Sequence, residues 1–140
     1  MKKGILFGTF DVWHAGYAMM VEEAKRHCDY LIVGLQTEHS RKSKMKKYTR
    51  NVSSPVNERF LVLKSIHHID EVAIYTTEDE LENLLDFYKP DCRFLGDDYK
   101  DVAKSQITGY FKSGEVIFIK RDHGISTTKF KERIADDIRG

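Results

Sequence analysis

The chain has 140 residues, 41% of them hydrophobic, with 23 basic against 22 acidic side chains and a formal charge of +1. That length suits one domain over residues 1–140 and buries roughly two thirds of the surface an unfolded chain exposes, which excludes intrinsic disorder. So balanced a charge leaves no global field to draw in nucleic acid or an anionic membrane, and any anion recognition has to be local.

The apolar runs are a few residues long, far below the roughly 20 needed to span a bilayer, and no signal-peptide core opens the chain, so a cytoplasmic protein is expected. Cys28 and Cys92 lie far apart, without metal-ligand spacing, each beside an apolar run. They are expected to be reduced, partly buried thiols.

In chain order, Gly4-Ile5-Leu6-Phe7-Gly8 is too short and apolar for anything but a buried strand. Tyr17, Met20, Val21 and Ala24 then fall at helical spacing, predicting a helix over residues 15–27. The run Tyr30-Leu31-Ile32-Val33-Gly34-Leu35 predicts a second strand. A second helical pattern starts near Pro55, a favourable first-turn residue, and runs through Val56, Phe60, Leu63 and His67. Glu71-Val72-Ala73-Ile74-Tyr75 is the third strand. Leu81, Leu84, Leu85 and Tyr88 make the stripe of a third helix, stopped by Pro90. The strand Cys92-Arg93-Phe94-Leu95, a looser segment over 96–114, and the strand Val116-Ile117-Phe118-Ile119 follow. A last helix after Ser126 is expected to bury Phe130, Ile134 and Ile138.

Apolar strands alternating with helices of 10 to 15 residues predict an α/β fold: a Rossmann-like, mostly parallel five-stranded sheet with helices on both faces. The one compositional anomaly is residues 41–50, six basic residues in ten with no acid, which reads as a loop. As a nucleic-acid surface it is weak, because six charges give salt-sensitive, nonspecific affinity and Tyr48 is the sole stacking platform.

An open parallel sheet binds ligands beyond the carboxyl ends of its strands. After the first strand comes Gly8-Thr9-Phe10-Asp11-Val12-Trp13-His14-Ala15-Gly16-Tyr17, a glycine turn followed by a histidine at a helix start. Backbone N–H groups and the positive helix end there suit a phosphate. The segment is neither a G-x-G-x-x-G turn nor a Walker P-loop, and an ordinary turn with Asp11 as the capping residue accounts for it as well. Before the last helix, Arg121-Asp122-His123-Gly124-Ile125-Ser126-Thr127-Thr128-Lys129 offers a glycine, three hydroxyls and an arginine at a second helix start. Two helix starts aimed at one sheet edge can together hold a triphosphate.

Gly8-Thr9-Phe10-Asp11 with His14-Ala15-Gly16, Gly96-Asp97-Asp98-Tyr99, and residues 121–129 together resemble the nucleotidyltransferase superfamily, and within it the cytidylyltransferases that act on glycerol 3-phosphate. The resemblance runs in order along nearly the whole chain. It implies attack by a phosphate oxygen of a small phosphomonoester, glycerol 3-phosphate above all, on the α-phosphorus of CTP, with pyrophosphate leaving and no covalent intermediate. Such in-line transfer asks for positioning and for donors around the phosphorus. By resemblance, Gly8, Thr9, Phe10 and His14 meet the triphosphate, while Arg121, Gly124, Ile125, Ser126, Thr127 and Thr128 clamp it from the opposite helix. Gly96 and Asp98 face the base, a carboxylate accepting from the cytosine amine being chemically apt. Lys44 and Lys46 match loop lysines that close over the reacting phosphates, Lys44 also facing the acceptor, with Mg2+ bound through the CTP phosphates. Asp11 lies nearer the acceptor, and Arg59 fits an arginine facing its phosphate, or else a surface ion pair. Relatives are commonly homodimers, and no nucleic acid or membrane partner is implied.

One position departs from the resembled pattern. That pattern reads His-x-Gly-His, and here it is His14-Ala15-Gly16-Tyr17. Histidine, titrating near about 6.5, can carry charge beside the α-phosphate, whereas tyrosine, near about 10, offers a neutral donor. Tyr17 also lies on the apolar stripe with Met20 and Val21, so packing is the other account of it. Losing one preorganised donor costs about 3 to 4 kcal/mol of barrier. The competing readings are therefore the same fold using ATP, and a nucleotide-binding module with impaired turnover.

Overall fold

The computed structural model describes residues 1–38, 52–120 and 124–139. Among them lie β1 (Lys3–Gly8), α1 (Ala15–Arg26), β2 (Tyr30–Gln36), α2 (Val56–Lys64), β3 (Glu71–Tyr75), α3 (Glu78–Tyr88), β4 (Cys92–Gly96), β5 (Val116–Ile119) and α4 (Thr127–Arg139). The strands form one sheet in the order β3-β2-β1-β4-β5, every neighbouring pair parallel. Parallel neighbours cannot be joined by tight turns, which is why helices and longer connections fill the intervals. The chain steps from β1 out to β3, then crosses back to β4 and β5. The crossovers therefore diverge between β1 and β4, and that divergence opens a crevice beyond Gly8 and Gly96.

Alternation along the strands sends side chains to two faces. Leu6, Leu31, Val33, Leu35 and Phe94 pack with Val21 and Ala24 of α1 and Leu63 of α2. Ile5 and Ile32 face the other way, onto Tyr75 and onto Leu81 and Leu85 of α3. Helices thus cover both faces, and each fully buried aliphatic side chain contributes on the order of 2 kcal/mol. Gly34 is required for this second layer: the Phe7 ring lies across it, in the space a Cβ would take.

Local signals set the element ends. Thr77 caps α3 by accepting from the Glu80 N–H at 3.1 Å, while the Glu80 carboxylate accepts from the Thr76 N–H at 2.7 Å. Lys89, left-handed at φ 47, ends that helix one residue before Pro90. The expected second helix stops a turn early at Lys64: Ser65 donates its hydroxyl to the Val62 carbonyl at 2.6 Å, and His67 is exposed beyond the helix. The loose segment after β4 consists of three 3-10 turns, Asp97–Tyr99, Lys104–Gln106 and Tyr110–Lys112. Cys28 and Cys92 are thiols, half-buried and buried.

The last helix forms where expected, but its expected burial is corrected. Phe130 is half-buried, Ile134 is 45% exposed and Ile138 81% exposed. Its anchoring contacts are in the first two turns, at Thr127 and Lys131. Periodicity fixes which residues share a face, not what covers that face. β3 is likewise an edge strand rather than one buried on both sides, with Ile74 half exposed.

Candidate functional site

Beyond Gly8 the backbone takes two unusual steps. Phe10 (φ 48) and Val12 (φ 51) are left-handed, and a β-branched residue there costs on the order of 1–3 kcal/mol. Contacts on either side of Val12 hold the turn in place. The Phe10 ring is buried against Trp13 and Tyr17, with centroids at 6.5 and 5.2 Å. The Asp11 carboxylate accepts the Ser53 N–H at 2.8 Å and the Ser54 N–H at 2.9 Å.

Asp11 is therefore not the helix cap. That role falls to His14, whose extended backbone precedes α1 and whose Nδ1 accepts the Gly16 N–H at 3.0 Å. An accepting Nδ1 places the neutral ring's proton on Nε2, which lies 3.2 Å from Thr127 Oγ1. Thr127 donates its own hydroxyl to the Asp11 carbonyl at 2.9 Å. Its oxygen consequently accepts from His14 and from the Tyr17 hydroxyl, which is 3.0 Å away. The Tyr17 ring stacks on His14 at 4.1 Å and 20°.

Thr127 is the first residue of α4, and Ser126 caps that helix by accepting the Lys129 N–H at 3.1 Å. The two helix starts singled out in the sequence thus meet side chain to side chain at the end of β1. Neither α1 nor α4 has an acid in its first turn, whereas α3 has Glu78, Asp79 and Glu80 there. Helix starts without acids suit an anion.

Arg59 holds the next layer. It is buried, donating from Nε to the Ser54 carbonyl at 2.9 Å, from Nη1 to the Thr9 and Gln36 carbonyls at 2.8 and 2.7 Å, and from Nη2 to the Thr37 carbonyl. It is no surface ion pair: four of its donors tie the ends of β1 and β2 to the start of α2. Burial pushes its pKa down, opposed by the nearby Asp11 carboxylate. For Asp11, burial pushes the carboxyl up, but the Ser53 and Ser54 N–H groups and Lys131 outweigh it and leave the group below its ordinary value.

Gly8, Thr9 and Gly96 stand at the crevice, the first two half-buried and Gly96 buried. Asp98 is exposed on the turn that follows β4. Gly124 is left-handed at φ 73, with the Lys129 ammonium 3.6 Å from where its Cβ would stand. Ile125 and Thr128 are half-buried. Lys44, Lys46 and Arg121 lie outside the described residues.

The model of the Cytidylyltransferase-like family matches residues 5–133. The chain belongs to that family. It is similar to glycerol-3-phosphate cytidylyltransferase of Bacillus subtilis (strain 168), 36% identical over 139 residues, covering 96% of this chain and 98% of that protein. Bifunctional protein HldE of Campylobacter jejuni (strain RM1221) is 38% identical over 139 residues, and this chain spans 28% of its length. The lipopolysaccharide core biosynthesis protein of Thermoplasma volcanium GSS1 shares the fold, with TM-score 0.67 and 22% identity over 87% of this chain and 99% of that one.

Sequence reasoning missed one residue that organises the site of this cytidylyltransferase-like chain. Lys131 pairs with Asp11 at 3.4 Å and donates to the Ser53 hydroxyl, joining α4 to the segment before α2. Its signal was present: Thr127 and Lys131, four apart, share one face of the helix.

Proposed function

We propose that this chain transfers CMP from CTP to a small phosphomonoester, glycerol 3-phosphate first among candidates, with release of pyrophosphate. The observation that carries this reading is the meeting of two acid-free helix starts at Thr127, beside His14, over the crevice between β1 and β4. A phosphate oxygen of the acceptor attacks the α-phosphorus of CTP in line, and the bond to the β-phosphate breaks. The chain supplies no nucleophile. Its task is to orient the two anions and to offer donors to the charge that develops on the phosphoryl oxygens.

In this reading His14 Nε2–H turns from Thr127 to a phosphate oxygen, and Ser126, Thr127 and Thr128 hold the β and γ phosphates with the first N–H groups of α4. Arg121 adds a cation on that side, and Lys44 and Lys46 close from the loop. Asp98 accepts from the cytosine amine. Mg2+ comes to the site on the triphosphate. The ion, bound through CTP, neutralises phosphate charge. Arg59 and Asp11 act on the acceptor side by shaping the backbone they hold. A homodimer is part of the proposal, measurable by light scattering.

A second reading has one observation in its favour: Tyr17 stands where the resembled pattern has histidine, and its hydroxyl is engaged by Thr127. The chain would then bind nucleotide and turn over slowly or not at all. Pyrophosphate release, measured with CTP or ATP over glycerol 3-phosphate, phosphoethanolamine, phosphocholine and sugar phosphates, separates the readings. Release with CTP and one acceptor is expected. Faster release with ATP removes the cytosine assignment. Binding without release with any acceptor leaves the module, and Tyr17→His raising turnover would then show what the tyrosine costs.

A further inference from the structure

Arg93 is a buried cation that the reaction above leaves unused. It stands on β4 in register with Ile5, is 4% exposed, and holds its guanidinium 5.1 Å from the Phe7 ring centroid, on the face covered by α3. Nη1 donates to the Thr108 carbonyl, while the buried Nε–H meets no acceptor among the described residues. Burial pushes its pKa down to about 10, opposed by Tyr75, Glu78 and Tyr99, so it remains a cation at neutral pH. An unmet buried donor and a desolvated charge both cost stability, set against the bond to the Thr108 carbonyl and the contact with the Phe7 ring.

What Arg93 touches is the connection from β4 to β5. Its three 3-10 turns have no side-chain hydrogen bond at their N-caps, and Ser113 closes the last by donating to the Tyr110 carbonyl at 3.2 Å. Of residues 97–115, only Ile107 and Thr108 are buried. Arg93 takes the Thr108 carbonyl in the middle of this connection. Gly109 follows at φ 71, fitted against Leu85 with no room for a Cβ and close to Arg93 Nη1. The turn bearing Asp98 begins this same connection.

We infer that Arg93 is a positioning residue for nucleobase selection: through Thr108 it ties the 97–115 connection, which opens with the Asp98 turn, to β4. The inference rests on the reading of Asp98 as the acid that faces the base.

The test is calorimetric titration of CTP and ATP into the wild type, Arg93→Met and Arg93→Lys, with thermal melting of each. The wild type is expected to favour CTP by at least about tenfold. Arg93→Met is expected to fold and to lose most of that preference through weaker CTP binding, while ATP affinity moves by about twofold. Arg93→Lys should fall between, since lysine keeps the charge but lacks the fork. A folded Arg93→Met with the wild-type CTP-to-ATP ratio overturns the inference. If the methionine variant does not fold, an unchanged ratio in Arg93→Lys overturns it, and so does failure of both variants to fold. A wild type without base preference defeats the Asp98 reading itself, an outcome visible before any variant is made.

Discussion

Tyr17 does two things at once. Its ring closes the aromatic cluster with Phe10, Trp13 and His14, and its hydroxyl donates to Thr127 across the gap between α1 and α4. The packing account drawn from the sequence holds, since the ring lies against the buried core, and the hydroxyl meets a threonine of this chain. One hydroxyl proton given to Thr127 positions the start of α4, so its loss should weaken nucleotide binding more than the chemical step. Tyr17→Phe keeps the ring and removes one neutral hydrogen bond of about 1 kcal/mol, which predicts a rise in KM for nucleotide of about fivefold with kcat changed less than about threefold. Steady-state kinetics read this directly. A kcat lowered by hundreds at constant KM would instead place the hydroxyl on the transition state. Thr127→Val, which removes the acceptor shared by His14 and Tyr17, should raise KM at least as far.

At the scale of elements, the strands and helix starts were legible because their signals are local: short apolar runs, a serine before a helix, a proline after one. Even the approach of the β1 turn to α4 followed from the rule that parallel sheets bind at their carboxyl ends. What was not legible depends on partners far away in the chain. Asp11 is fastened to Ser53 and Ser54 and to Lys131, and nothing near position 11 announces them. Arg59 looks like a surface residue on a helix until four carbonyls from three segments converge on it. The stripe of α4 was read correctly and its burial was not, since Ile134 and Ile138 face outward. The Asp11 clasp has a pH signature. Its folded pKa lies below the ordinary 3.8, so its contribution is fully present above that value and is lost as pH falls through the lower folded value. Asp11→Asn removes the charge from two N–H contacts and should cost about 2 kcal/mol at neutral pH, with the deficit shrinking below about pH 4. Urea unfolding at the two pH values measures it; a deficit independent of pH would show that the carboxylate charge is not what holds the segment.

Across the whole molecule, a parallel sheet has two unlike ends, and here they carry unlike duties. At the amino ends of the strands, carboxylates fasten the backbone: Asp29 accepts the Lys2 N–H at 2.8 Å, Asp91 the Lys3 N–H at 2.8 Å, and Asp70 the Leu31 N–H at 2.8 Å beside Lys25. Glu71, the first residue of β3, accepts the hydroxyls of Tyr30 at 2.7 Å and of Tyr88, joining β3, β2 and the end of α3. Those two phenols, Tyr88 first, hold the Glu71 carboxyl below its ordinary value, against the opposing effect of burial. The same contact, after burial, raises Tyr88 to about 12. Glu71 therefore stabilises the fold above about pH 4.5, and that stability is lost as pH falls through its lower folded value. None of these groups lies at the end that carries His14, Thr127 and Asp98. Glu71→Gln should accordingly lower the urea midpoint at neutral pH, by an amount equivalent to about 1–3 kcal/mol, and flatten the acid limb of the stability curve. It should also leave the nucleotide dissociation constant within about twofold of wild type, because the crevice is built from the opposite rim. A Glu71→Gln protein that kept its stability but lost nucleotide affinity would mean that the two rims are coupled through β3 and α3, and that the carboxyl-end crevice is not an independent unit of this fold.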